Sequence, residues 1–162
     1  TLDESLHTKV ISEWEYFAFL NLIKLDKIEW NNSWLAYKLR IPLDRLVTII
    51  DNLLSLNLIK KEGLAYIRTH DRLQTTEDQR SVALIKSHIA ELNLATDCIL
   101  DEVVELDLRD FSSVIIPTNT EKLKAAKNLI RDFRIKMENI LETGEKDEVY
   151  QLSIQLFPLT KG

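Results

Sequence analysis

The sequence predicts an α+β protein in which helices make up most of the structure. Glycine and proline occur only three times each in 162 residues, which favours long helices over a turn-rich, all-β fold. Apolar residues, 45% of the total, recur mainly at helical spacing and alternate only in short runs. The chain is long enough for one large core or two small ones. We therefore predict two units, over residues 1–72 and 73–162.

The first unit begins with two stretches of predicted helix. Residues 1–12 are polar with scattered apolar positions, which fits either a short lead-in helix or a frayed terminus. Ser12 is followed by Glu13 and Glu15, a pattern typical of a helix N-cap and an acidic first turn. The apolar residues of SEWEYFAFLNLIKL lie on more than one side of this helix, so we predict that most of its circumference is buried.

The next residues predict a winged helix-turn-helix. Asn32 or Ser33 is the predicted N-cap of a helix over SWLAYKL, and Pro42 marks a turn before a helix over residues 43–54. The core stripe of that helix is Leu46, Ile49 or Ile50, Leu53 and Leu54, which leaves Arg45, Thr48, Asp51 and Asn52 outside. The run LNLIKKEGLAYIRTH then alternates around Glu62-Gly63, which predicts a β-hairpin.

In a DNA-binding winged helix, the helix over residues 43–54 would enter the major groove. Arg45 and Asn52 are the side-chain types that read base edges, and the hairpin bases would grip phosphates. The predicted DNA-binding residues are Arg40, Arg45, Thr48, Asn52, Lys60, Lys61 and Arg68. An ordinary solvated surface is the alternative, because Asp51 on the same helix would repel phosphate.

The distribution of charge gives DNA binding only modest support. The net charge is −5, but residues 24–72 carry nine Lys or Arg against six Asp or Glu, a local excess of +3. The segments on either side are acidic. Such asymmetry can mark a nucleic-acid face, although +3 is well below the charge expected of a strong DNA binder.

The second unit is predicted to begin, after a polar linker, with a long helix from Glu77 or Arg80 to Leu106. Its apolar residues repeat at spacings of three and four, with one gap of seven, and they form a wide stripe. They are Val82, Ile85, Ile89, Leu92, Ile99, Val103 and Leu106. So wide a stripe needs two partners, one of which is the winged helix and the other the C-terminal unit or a second subunit.

The last third predicts a strand-helix-strand unit. FSSVIIP is rich in β-formers, Thr118 and Glu121 fit a capping box, and Gly144 ends the following helix. That helix is predicted to bury Leu123, Ala126, Ile130, Phe133, Met137 and Ile140. Apolar and polar residues then alternate over positions 150–156, as in a half-buried strand. Because two strands make a poor sheet, we predict that they pair across a dimer two-fold or join the hairpin.

A family resemblance rests on four stretches of this sequence. They are EWEYFAFLNLIKL, SWLAYKLRIPLDRLVTIIDNLLSLNLIKKEG, SHIAELNLA and EVYQLSIQLFPLT, of which the last is the most specific. Together they make nearly the whole chain similar to a family of uncharacterised bacterial proteins, described as transcriptional regulators with a domain of unknown function. The resemblance implies a C-terminal part of a longer protein whose preceding region is also helix-turn-helix-like. It supplies no activity, ligand or catalytic residue.

Motifs for catalysis and cofactors are missing from the sequence. The phosphate-binding motifs G-x-x-x-x-G-K-[ST] and G-x-G-x-x-G and the metal motifs H-E-x-x-H and C-x-x-C do not occur. We therefore predict no enzyme, no catalytic residue, no cofactor and no metal. No apolar run is long enough to span a bilayer, and the single cysteine, Cys98, fits a reducing compartment, so we expect a cytoplasmic protein.

Two functions follow as hypotheses. The first is a DNA-associated winged helix coupled to a dimerisation or signal-sensing unit, with DNA and a second copy or another protein as partners. The alternative is a non-catalytic protein-interaction module that keeps the winged-helix shape and does not bind DNA. Convergence of the predicted basic residues on one face would favour the first hypothesis, and scattering would favour the second.

Overall fold

Helices make up most of the structure, a computed structural model that describes residues 2–69 and 77–161. In the described chain the helices are α1 (Leu2–Ser12), α2 (Trp14–Leu22), α3 (Asn32–Leu39), α4 (Leu43–Ser55), α5 (Glu77–Leu100) and α6 (Leu123–Leu141). The strands are β1 (Ile59–Glu62) and β2 (Ala65–Arg68), and 3-10 turns lie at Leu106–Leu108 and Thr120–Lys122. The predicted mostly helical α+β class is confirmed.

The first two helices differ from the prediction at their junction. Residues 2–12 form the lead-in helix α1, and Ser12 is its last residue. Ser12 therefore does not cap α2. Glu13 occupies the N-cap position of α2 without a side-chain capping bond. The body of α2 is buried on several sides, through Tyr16, Phe19 and Leu20 among others, as its sequence predicted.

The turn between α3 and α4 follows the predicted local rules. Asn31, one residue before the predicted cap, accepts a hydrogen bond on its side chain from the Trp34 N–H at 2.8 Å. Helix α3 ends at Arg40, whose φ of 56° is left-handed, and Pro42 precedes α4 with φ −61°. Proline fits this position because the first turn of a helix leaves its N–H groups unpaired.

The hairpin is antiparallel and forms the whole of the described sheet. Glu62 pairs with Ala65, so the two-residue turn is Gly63-Leu64, one residue later than predicted. Gly63 has φ +60°, which glycine adopts without strain. Within the described residues no third strand joins this sheet, so the predicted pairing of the C-terminal strands with the hairpin is wrong.

One apolar core joins α1, α2, α3, α4 and the hairpin. Helix α4 contributes its predicted stripe, with Leu46, Ile49 and Leu53 fully buried. The aromatic ring of Tyr66 on β2 lies 6.1 Å from the ring of Phe19, so the hairpin closes the core beside α2. We refer to residues 10–69 as the compact unit.

Helix α5 is shorter than predicted, ending at Leu100 and not at Leu106. The guanidinium of Arg109 donates hydrogen bonds to the carbonyl oxygens of Cys98, Ile99 and Asp101. The carboxylate of Asp101 also accepts a bond from the Val103 N–H at 2.9 Å. A cation on the last carbonyl groups of a helix satisfies them and stabilises the helix end, so the chain turns here.

The C-terminal third contains the predicted helix but not the predicted strands. Residues 109–119 and 145–158 have no regular secondary structure, so the predicted strands are not formed in this single chain. Asn119, not Thr118, caps the start of the helical segment by accepting a bond from the Glu121 N–H at 2.9 Å. Helix α6 buries none of its residues fully, and Phe133 and Ile140, predicted to be buried, are exposed.

Candidate interaction surfaces

The two predicted base readers of α4 face α2 and not solvent. The Arg45 guanidinium donates to the Glu13 carboxylate, lies 3.5 Å from Glu15 Oε1, and stacks 5.6 Å from the ring centre of Tyr16. Asn52 donates from Nδ2 to the Tyr16 hydroxyl at 2.7 Å. The prediction that Arg45 and Asn52 lie outside the helix packing is therefore wrong, whereas any role toward DNA stays a prediction.

The two carboxylates stabilise the charged form of Arg45. Partial burial alone would lower the pKa of this guanidinium, but the hydrogen bond to Glu13 and the charges of Glu15 and Glu13 outweigh it, so the pKa is raised. Arg45 thus works as a polar link between α4 and the start of α2.

The exposed face of α4 is neutral to acidic. Asp44, Val47, Thr48 and Asp51 are exposed on this helix. The Thr48 hydroxyl donates to the Asp44 carbonyl oxygen at 3.1 Å, within its own helix. Arg45 is the only lysine or arginine in the α4 sequence, LDRLVTIIDNLLS, and it points to α2. The open face of α4 therefore carries two carboxylates and no cation.

The remaining predicted contacts lie in different places. Arg40 pairs with Asp101 at 2.5 Å, near the end of α5. In the hairpin, Lys60 is opposite Ile67 and Lys61 is opposite Tyr66, so the two lysines point to opposite faces. Lys60 lies 3.1 Å from Glu62, and Lys61 lies over the Tyr66 ring.

Arg68, the last predicted contact, is half-buried opposite Ile59, on the core side of the hairpin. The structure thus brings Arg45 and Asn52 together on Tyr16 but does not gather the predicted set on one face. That set is Arg40, Arg45, Thr48, Asn52, Lys60, Lys61 and Arg68.

Helix α5 has one packed face and one open face. It packs against α1 and α2, with Ala83 buried and Ser87, Ala90, Leu94 and Cys98 half-buried. The opposite face carries larger apolar side chains and is open. This "α5 seam" consists of Val82, Ile85, Ile89, Leu92 and Ile99, whose exposed fractions lie between 46% and 62%. Spacings of three and four along the seam are those of a surface that packs against another helix.

A second open surface belongs to residues 109–161, which we call the C-terminal arm. Large apolar side chains are exposed along both of its irregular segments and along α6. They are Phe111, Val114, Ile115, Ile116, Leu129, Phe133, Ile135, Ile140, Leu141, Val149, Tyr150, Leu152, Ile154, Leu156, Phe157 and Leu159. These exposed apolar side chains make the arm a candidate surface for contact with another molecule.

The arm is attached to the compact unit at residues 145–148. Asp26 N–H donates to the Lys146 carbonyl oxygen at 3.0 Å, and Lys146 N–H donates to Asp26 Oδ2 at 2.5 Å. Lys27 pairs with Glu145 at 2.9 Å, and Lys38 pairs with Glu148 at 2.8 Å. These contacts fix the start of the second irregular segment.

The described residues offer little that supports catalysis. Over residues 2–69 and 77–161, no group of three or more His, Cys, Asp or Glu side chains is placed to hold a metal ion. His88 Nδ1 lies 3.2 Å from Glu91 on the same helix, and Cys98 is half-buried against the compact unit. Within the same residues, no helix is both long enough and apolar enough to cross a membrane.

A protein-family model described as a domain of unknown function, DUF4423, matches residues 1–159. The chain belongs to the DUF4423 family. No curated protein and no solved structure matches it. The resemblance to an uncharacterised domain family is thus confirmed. The family description of this DUF4423 domain names no ligand, reaction or partner, so its function must be argued from its surfaces.

Sequence reasoning missed Glu13, Glu15 and Tyr16, which hold Arg45 and Asn52 in the DUF4423 domain. A signal was present, because Arg45 and Asn52 are seven residues apart and therefore lie on the same side of α4, beside its apolar stripe. Polar residues at the border of a stripe often face the neighbouring helix. The acidic pair of Glu13 and Glu15 supplied matching charges.

Proposed function

We propose that this DUF4423 domain is a non-catalytic protein-interaction module of a transcriptional-regulator-type protein. The order α2, α3, α4 and hairpin resembles that of a winged helix-turn-helix, and this resemblance supports a regulatory origin. In our proposal the domain does not bind DNA through α4. It acts through protein contacts, with a second copy or another protein as partner.

The charge on the open face of α4 carries this proposal. Affinity for DNA comes largely from lysine and arginine side chains that neutralise phosphates, and base readout needs donors free to reach the groove. Asp44 and Asp51 place negative charge where a recognition helix would meet the duplex, and Arg45 is engaged by Glu13 and Glu15. The predicted bases scatter, as expected for the protein-interaction alternative.

The exposed apolar surfaces support the second part of the proposal, that the domain binds proteins. The α5 seam fits an apolar helix, and the C-terminal arm exposes segments suited to strand pairing. Both surfaces fit proteins as partners, because burial of apolar area drives most protein association.

Fluorescence anisotropy with a mixed-sequence duplex, at about 50 mM and about 200 mM salt, tests the DNA half of this proposal. We expect no binding by the unmodified chain at either salt concentration. The matched variant, Asp44→Lys with Asp51→Lys, restores cations to the open face of α4. It should bind at low salt and release DNA at high salt, since its affinity would come from counterion release.

Salt-sensitive binding by the unmodified chain would overturn the proposal. Weakening by Lys60→Ala with Lys61→Ala would then place DNA on the hairpin. Arg45→Ala would help only as a second variant, because we expect it to act mainly on stability. Circular dichroism of every variant would confirm that the fold is intact.

A further inference from the structure

We propose that the C-terminal arms of two copies of this chain pair into one β-sheet, which makes the protein a homodimer. The paired segments are residues 111–117 and 149–157. The inference deepens the proposed function and rests on it only in naming a second copy as the protein partner. DNA binding and dimer formation are measured separately, so either can fail without the other.

The backbone of the two segments has no partner within the described chain. No backbone hydrogen bond joins residues 110–118 or 147–161 to any other described residue. Peptide groups need partners once their side chains are buried, and a second strand supplies them in a regular row. The Tyr150 hydroxyl donates to the Leu108 carbonyl oxygen at 2.9 Å, which holds the start of the second segment near the approach to the first.

The side chains also fit a sheet. In the second segment Tyr150, Leu152, Ile154 and Leu156 alternate with polar residues, so one face is apolar and the other polar. Neither FSSVIIP nor VYQLSIQLF contains a charged residue. Natural edge strands usually carry lysine or another charge that prevents association. Two uncharged strands therefore indicate that a partner covers them.

The exposed area is large enough for an extensive interface. The chain has an accessible surface of 12740 Å², whereas a compact monomer of 18.9 kDa would have roughly 8,300 Å². The difference exceeds the roughly 800 Å² that each partner buries in an interface of standard size. Intertwined arms, with α6 lying over the shared sheet, would remove an area of this order.

A second copy is the occupant that the arm itself favours. Each chain offers two strands, which are too few for a stable sheet, and a two-fold axis doubles them to four. A two-fold places identical segments against one another, and their lack of charge means that self-pairing brings no like charges together. The two segments themselves carry no charge that would select a different protein over a second copy.

Light scattering coupled to size-exclusion chromatography tests the proposal on the full chain. We expect a mass twice 18.9 kDa. Ile154→Lys places a charge on the apolar face of the second segment and should raise the dissociation constant by more than about 100-fold, because the two-fold applies the change twice. Gln155→Lys adds the same charge to the polar face and should leave the dimer intact.

Two further measurements locate the interface. Hydrogen exchange should show protected amides over residues 111–117 and 149–157 in the dimer, and fast exchange there in the Ile154→Lys variant. Ile89→Lys, in the α5 seam, should leave the dimer intact. A circular dichroism melt of each variant separates loss of dimer from loss of fold.

Three results would overturn the proposal. The first is an unmodified chain that stays monomeric up to about 100 µM, a concentration at which even a weak dimer would form. The second is a dimer that survives Ile154→Lys but is lost with Ile89→Lys, which would move the interface to the α5 seam. The third is a dimer whose arm amides exchange freely.

Discussion

Helices α4 and α6 have the same kind of sequence and opposite surroundings. Both are amphipathic, and both carry leucine and isoleucine at helical spacing. In α4 the stripe is covered by α2, α3 and β1, and Leu46 is 0% exposed. In α6 no residue is buried, and Leu129 is 68% exposed. Periodicity therefore predicts that a helix has a partner, but it does not say whether that partner is in the same chain.

The largest expected difference between the two helices is the effect of truncating a leucine. Leu46→Ala should lower the free energy of unfolding by about 2–5 kcal/mol, since it leaves a cavity in a closed core. Leu129→Ala should change it by no more than about 0.5 kcal/mol when it is compared in the Ile154→Lys variant, which we expect to be monomeric. Urea unfolding measures both. Equal losses would show that α6 has a partner within its own chain.

A smaller effect should follow from removing the polar link between α4 and α2. Arg45→Ala leaves Glu13 and Glu15 without their shared cation and should cost about 1–2 kcal/mol, a value reduced because the side chain is partly solvated. Arg45→Lys keeps the charge but not the planar fork, so its loss should be intermediate. Urea unfolding near neutral pH measures the series. An unchanged midpoint in Arg45→Ala would contradict the structural role.

The two asparagine N-caps allow a finer comparison between the compact unit and the C-terminal arm. Asn31 caps α3 in the compact unit by accepting from the Trp34 N–H, and Asn119 caps the helical segment of the arm by accepting from the Glu121 N–H. Asn31→Ala should cost about 1 kcal/mol of global stability. Asn119→Ala should fray its own helix, seen by hydrogen exchange, without shifting the main unfolding transition. Asn32→Ala is the matched control and should be nearly neutral. A loss of stability in Asn32→Ala but not in Asn31→Ala would show that Asn32 is the N-cap, as the sequence predicted.

The smallest effect concerns the ion pair between α3 and the end of α5. The hydrogen bond from Arg40, followed by that from the Val103 N–H, lowers the pKa of Asp101. Arg40→Ala should raise that pKa toward the ordinary value of an aspartate without fully restoring it, because the Val103 bond remains. The stabilisation from Asp101 is present above its unfolded pKa and is lost as pH falls through the folded pKa. NMR titration of the carboxyl carbon measures the change.

Lys38→Ala is the control for this titration. Lys38 pairs with Glu148 and not with Asp101, so the Asp101 pKa should stay where it is in the unmodified chain. An Asp101 pKa that does not respond to Arg40→Ala would show that the pair is not formed in solution.

The parts of the fold that sequence predicts well depend on local rules. Pro42 and Gly63 restrict or free the backbone at single positions, and they place the α3–α4 turn and the hairpin to within about one residue. The apolar stripe of α4 correctly predicted Leu46, Ile49 and Leu53 as core residues, because helical spacing is also a local property of the sequence. No distant residue needed to be known.

The features that the sequence did not predict depend on contacts between residues far apart in the chain. Arg109 ends α5 by hydrogen-bonding carbonyl groups eight to eleven residues earlier. The spacing of the apolar residues does not predict where this helix ends. Arg45 finds Glu13 across 32 positions, which reverses the side of the helix on which its charge was expected. The two irregular segments of the arm have the composition of β-strands, but no other described segment pairs with them. Each of these outcomes depends on tertiary contacts that periodicity does not contain.

The attachment at residues 145–148 divides the arm into an anchored loop and a C-terminal tail. The chain before the loop is held where Arg40 meets Asp101, and the loop ends where Asp26 and Lys27 meet Lys146 and Glu145. The segment 111–117 thus lies in the loop between two anchors, whereas the segment 149–157 follows the second anchor, so different lengths of chain set the reach of each toward a docking partner. Lys27 and Glu145 are largely solvated, so salt weakens this anchor first. The reach of the arm should therefore increase with ionic strength.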